Sequence, residues 1–137
     1  MTFLVERLAD LRRHLEHLRE IRPRVRDADA LRLDLSLHND VLFSLLVVCQ
    51  AVIDVAGELA GRRGIRFQDY TEAVRALTTV GGMPPELLRE LEGLPGFRNV
   101  LVHEYVALDY GLVLEALGRL DAVERFARIV AGLEGGI

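Results

Sequence analysis

A chain of 137 residues, half of them hydrophobic and 28% charged, has the length and composition of one globular domain, residues 1–137, able to build a core without a structural metal. Aromatic residues are only 6% and Trp is absent, so that core consists of Leu, Val, Ala and Ile. The net charge of −4 argues against a strongly basic nucleic-acid binder, and a lone cysteine, Cys49, argues against an internal disulfide or a zinc cluster.

The N-terminus does not read as a signal peptide, because Glu6, Arg7 and Asp10 interrupt it. The longest apolar run, from Val41 to Cys49, is broken by Ser44 and falls well short of a membrane span. A cytoplasmic protein with no membrane association is expected. All 17 basic residues are arginine, and seven lie in residues 1–26 beside four acids. Coding bias explains this more readily than a preference for bidentate phosphate contacts.

Leu4, Leu8, Leu11, Leu15 and Leu18 recur at intervals of four and three, which predicts a first helix with a narrow leucine seam. The seam fits packing into a bundle better than a dimer contact. Pro23 ends this helix. A second, long helix is predicted over residues 28–60, capped by Asp27 or Asp29. From Val41 onward its apolar residues surround most of the cylinder, as in a helix buried on several sides or one with a dimer contact. Gly61-Arg62-Arg63-Gly64 stops it.

Asp69 caps a third predicted helix over residues 70–80, with Glu72 at the capping-box position. Pro85 opens a fourth, and Gly93-Leu94-Pro95-Gly96 breaks or kinks it. A last helix is predicted over residues 110–133. No stretch alternates like a strand. The expected fold is all-α, an up-and-down bundle of four or five helices.

Between the fourth and last helices lies Phe97-Arg98-Asn99-Val100-Leu101-Val102-His103-Glu104-Tyr105. It combines a permanent cation, a group that titrates near neutrality and a phenol. On a regular helix Arg98 and Tyr105 share a face, but His103 points about 140° from Arg98. Either the backbone is irregular near His103, or the two residues work across a symmetric dimer. On spacing alone, ordinary readings stay open. His103 can be a hydrogen-bonded packing residue, Arg98 can pair with Glu104, Asp54 or a carbonyl, and Tyr105 can be a core ring with its hydroxyl at the surface. Asp54, set among apolar neighbours, either orients Arg98 or faces solvent. His14, His17 and His38 read as surface residues, and two histidines without a third ligand make a weak metal site.

The motif resembles the signature of the HEPN superfamily, in the form used by HepT-like toxins of the MNT/HepT (type VII) toxin–antitoxin systems. Cys49-Gln50-Ala51-Val52-Ile53-Asp54-Val55-Ala56 is similar to the family's second-helix segment. Gly82-Met83-Pro84-Pro85-Glu86-Leu87 is similar to its turn into the next helix, and Leu108-Asp109 follow the motif. The resemblance runs from about Asp40 onward and adds little for the N-terminal third.

It implies a HEPN-like homodimer that cleaves RNA without metal or cofactor and leaves a 2′,3′-cyclic phosphate and a 5′-hydroxyl. It assigns His103 as general base or acid and Arg98 as the phosphate donor, with Asn99 and Asp54 supporting. It also implies an MNT-type nucleotidyltransferase antitoxin as partner, with Tyr105 the acceptor of AMP. An adenylate there would neutralise the cation and block the cleft. Two rival classes remain. One is a non-catalytic helical module that binds nucleotide, RNA or a partner, which the acidic net charge favours. The other is a structural helical dimer with the motif side chains buried and mutually satisfied.

Overall fold

The computed structural model describes residues 2–103 and 107–133. Among them the elements are α1 (Thr2–Ile21), a 3-10 turn (Arg22–Arg24), α2 (Ala28–Leu33), α3 (Leu35–Arg62), α4 (Tyr70–Arg75) running into a 3-10 turn (Ala76–Thr79), α5 (Pro85–Leu91), α6 (Leu94–His103), α7 (Tyr110–Leu117) and α8 (Leu120–Leu133). No strand occurs among the described residues. The all-α expectation holds, with more helices than the four or five expected.

The first helix forms because its leucines fall on one stripe. Leu4, Leu8, Leu11, Leu15 and Leu18 are all buried, against α3 and α8. The seam is therefore used up within the chain, as the bundle reading expects. The arginines of this region serve ion pairs. Arg19 clamps Asp121 at 2.8 Å and Glu124 at 2.9 Å on α8, and Arg22 donates to the Leu117 carbonyl.

The long second helix predicted from residue 28 is two helices. Asp34 leaves helical geometry at φ −121°, ψ 99°, and its carboxylate accepts from the Leu37 N–H at 3.1 Å. It thus ends α2 and caps α3, and no Gly or Pro marks the break. Asp27 caps α2 through the Ala30 N–H, as expected. α3 is the central element and packs against α1, α2, α4 and α6. Its length of 28 residues and mean hydropathy of 1.9 match a membrane span by composition, yet over half of that window is buried in the bundle. Apolar residues on several sides here mean core. An outer strip stays open at Phe43, which is 61% exposed, beside half-buried Leu46 and Val47. Gly64, at φ +70°, makes the turn that ends this region.

Asp69 caps α4 through the Glu72 N–H, and the Glu72 carboxylate accepts from the Gln68 N–H. This helix tightens to 3-10 geometry at Ala76, earlier than expected. The break before the motif is real. α5 stops at Leu91, and α6 restarts at Leu94 with Pro95 in its first turn, where a missing N–H costs nothing. The last predicted helix is also two, interrupted at Gly118, whose N–H reaches the carbonyls of Leu114 and Glu115.

Candidate active site

Two neighbouring helices carry the motif residues that can be located. α6 packs along α3, burying Leu94, Phe97 and Leu101. Arg98 lies one turn before Val102 on α6 and is half-buried. Its Nε is sealed from solvent and meets no hydrogen-bond partner among the described residues. Its charge is felt at Cys49 on α3. Burial pushes that thiol up to about 12, and Arg98 opposes the rise. The guanidinium is thus close enough to the middle of α3 for its charge to act there.

His103 is the last described residue of α6 and is exposed, as is Asn99. The helix is unbroken from Leu94 to His103, so backbone irregularity between the two residues is ruled out. Arg98 and His103 diverge around the cylinder as an ideal helix requires. Tyr105 lies outside the described residues, as does Glu104.

Asp54 sits on α3, half-buried. Gln50 donates its amide to Oδ1 at 2.8 Å, and Arg7 of α1 brings Nη1 to 3.9 Å from Oδ2. Among the described residues these are its partners, and no ion pair joins it to Arg98. Arg7 also binds Asp10 at 2.9 Å, lies over the Phe3 ring at 5.9 Å, and has a buried, unpartnered Nε.

Arg7 is the residue sequence reasoning missed. The available signal was its position directly beside the leucine seam, which puts it at the edge of the buried stripe. Arg7, Asp10, Gln50 and Asp54 border one groove of about 370 Å³, floored by Leu46, Val47, Ala51 and Val102. Val102 precedes His103, so this groove adjoins the motif.

A second polar cluster also joins α1 to α3. His14 Nδ1 lies 3.0 Å from Ser44 Oγ, and His17 Nε2 lies 2.7 Å from Asp40 Oδ1. Burial and the nearby Arg13 charge hold His14 below the ordinary imidazole value. Both rings are half-buried and bonded rather than free at the surface. No group of three His, Cys, Asp or Glu able to hold a metal occurs among the described residues.

Residues 11–130 match the family of HepT-like ribonucleases. The chain belongs to that family. A HepT-like relative from Shewanella oneidensis, named mRNA nuclease HepT, is 21% identical over 93% of this chain and 95% of its own length. A protein of Archaeoglobus fulgidus named as a candidate RNase is 31% identical over 83 residues, 61% of this chain. That match spans 63% of the relative's own length.

Solved structures share the fold. The tri-AMPylated HEPN toxin of Shewanella oneidensis in complex with its MNT antitoxin superposes with a TM-score of 0.79 at 21% identity, over 96% of this chain and 98% of that one. A toxin–antitoxin complex with AMP-PNP superposes at 0.81 and 19% identity, over 96% and 99%. The HepT-like assignment therefore rests on the length of the family match together with the fold, and it includes the N-terminal helix that the motif resemblance left out.

Proposed function

We propose that this HepT-like chain is a metal-independent RNA endonuclease that works as a homodimer. The observation that carries the reading is α6: a half-buried arginine and an exposed histidine, five residues apart on an unbroken helix of a HepT-like domain. The two side chains leave the helix about 140° apart. Two copies related by a two-fold axis bring Arg98 of one to face His103 of the other.

The chemistry then follows. One imidazole accepts the proton of a 2′-hydroxyl as its oxygen attacks phosphorus. The guanidinium binds the non-bridging oxygens, where negative charge grows. The bond to the 5′-oxygen breaks, and that oxygen takes its proton from the second imidazole or from water. The products are a 2′,3′-cyclic phosphate and a 5′-hydroxyl. Asn99, exposed one residue after Arg98, is placed to orient the scissile group. Asp54 acts with Gln50 and Arg7 at the edge of the same cleft.

We further assign Tyr105 as the acceptor of AMP from a nucleotidyltransferase antitoxin, and the cytoplasm as the site of action. The modified toxin bound to its MNT antitoxin supports this by analogy. Added negative charge two residues from His103 would compete with RNA phosphate for Arg98.

The test is RNA cleavage by the purified chain in EDTA. Arg98→Ala and His103→Ala, each checked for helicity by circular dichroism, should each lose roughly 10²-fold or more. Unchanged cleavage by the His103 variant would refute the assignment. A net charge of −4 favours the rival reading, a partner-binding module. It would be selected by tight antitoxin binding with no turnover in a sensitive nuclease assay.

A further inference from the structure

The groove beside α6 has walls of unlike chemistry. Leu46, Val47, Ala51 and Val102 give it an apolar floor. Its rim carries one guanidinium, Arg7, and two carboxylates, Asp10 and Asp54. Arg7 Nη1 stands 3.9 Å from Asp54 Oδ2, longer than a hydrogen bond, so neither group spends its capacity on the other. Gln50 fixes the carboxylate by donating to Oδ1, which leaves lone pairs on both oxygens. Arg7 is steadied by Asp10 and Phe3, while its Nε has no partner. The volume, about 370 Å³, lies in the range of small-ligand sites, roughly 300–1,000 Å³.

From this arrangement we infer that the groove is a guanine-selective subsite for the nucleotide next to the scissile phosphate. The inference rests on the ribonuclease reading and deepens it. A flat apolar floor suits the face of any base, because stacking is tolerant of sequence. Selection comes from the rim. Among the four bases only guanine offers two adjacent donors, N1–H and N2–H, which a carboxylate accepts together. Its O6 lies next to them and N7 beyond, the acceptor pair that arginine reads. Adenine, cytosine and uracil each present one donor to the carboxylate on that edge. Unstacked single-stranded bases expose these edges, so the substrate would be unpaired RNA.

The position of the groove ties it to the motif. Val102 belongs to the floor and is followed directly by His103. The Arg98 charge acts on Cys49 of α3, the residue before Gln50. A base lying on Val102 would bring its own phosphate within reach of one end of α6. This gives Asp54 a role other than orienting Arg98, and it gives the first helix a part in substrate choice.

The experiment has two arms with the full-length chain. In the first, cleavage of a randomised single-stranded RNA pool is mapped for wild type, Asp54→Asn and Arg7→Gln. Wild type should cut next to guanosine preferentially, and each variant should lose that preference by roughly tenfold whatever its overall rate. In the second, methyl resonances of Val102 and Leu46 are followed by NMR during titration with GMP, AMP, CMP and UMP. GMP should saturate at the lowest concentration, and Asp54→Asn should abolish the difference.

Absence of guanosine enrichment in wild type, or its persistence in both variants, would overturn the inference while leaving the nuclease intact. Selective GMP binding without any RNA cleavage would sink the nuclease reading while upholding guanine selection by the groove. If the variants instead become monomeric by light scattering and lose cleavage equally at every site, the groove is a contact between copies and the inference fails.

Discussion

At the scale of single residues, the proposed site draws on two guanidinium groups whose Nε atoms the fold leaves unsatisfied. A buried polar atom without a partner costs about 1–3 kcal/mol, and the described residues hold two such side-chain atoms, Nε of Arg7 and Nε of Arg98. Both are guanidinium atoms at the junction of α1, α3 and α6. A lysine has the charge but not the planar fork. Arg98→Lys should therefore recover little, with cleavage still down roughly 10²-fold in single-turnover assays. Recovery to near wild-type rate would show that charge alone suffices. Cys49 offers a control. Its thiol is buried and titrates only at about 12, so a thiol reagent at pH 8 should label it no faster than the chain unfolds. Prompt labelling of the native protein would contradict the packing of α6 on α3.

Among the elements, what the sequence made legible was periodicity, and what it concealed was interruption. The leucine seam, the helix stops at Gly61–Gly64 and the break before the motif could all be read, because each has a local cause. The break at Asp34 could not, since an aspartate inside an apolar-periodic stretch reads as a solvated position until its carboxylate is seen on the Leu37 N–H. Nor could Arg7, whose partner Asp54 is far away in sequence and on another helix. Asp34→Ala should cost about 1 kcal/mol by urea denaturation, the usual loss for a removed N-cap. The Asp34–Arg24 pair at 3.4 Å is exposed and adds little.

The His14–Ser44 contact across α1 and α3 sets a pH dependence. Burial, and the nearby Arg13 and His17, disfavour the charged ring, while Asp10 and Asp40 oppose them. The folded value is therefore below the unfolded 6.5. Between the two, the unfolded chain binds more protons, so the stabilisation is present above pH 6.5 and is lost as pH falls toward the folded value. His14→Gln should flatten the fall in melting temperature over that acidic window. An unchanged slope would assign the effect to other groups.

For the whole molecule the governing fact is that one bundle presents the two groups proposed as reactive, Arg98 and His103, in different directions. α6 is regular through His103, so its backbone sends the Arg98 and His103 side chains about 140° apart around the helix axis. A two-fold dimer resolves this only if the working pair is drawn from different copies. That can be measured directly. Light scattering at micromolar concentration should give a dimer. Arg98→Ala and His103→Ala should then be inactive alone and active when unfolded together and refolded as a mixture. Random pairing makes half of the dimers mixed, and each mixed dimer retains one of two cross-copy pairs, so recovery should approach about a quarter of wild-type activity. If mixed dimers form, as separable tags would reveal, and no activity returns, then Arg98 and His103 of the same chain must act together. The region beyond His103 would then have to turn the imidazole back toward Arg98, and the cross-copy site would be wrong.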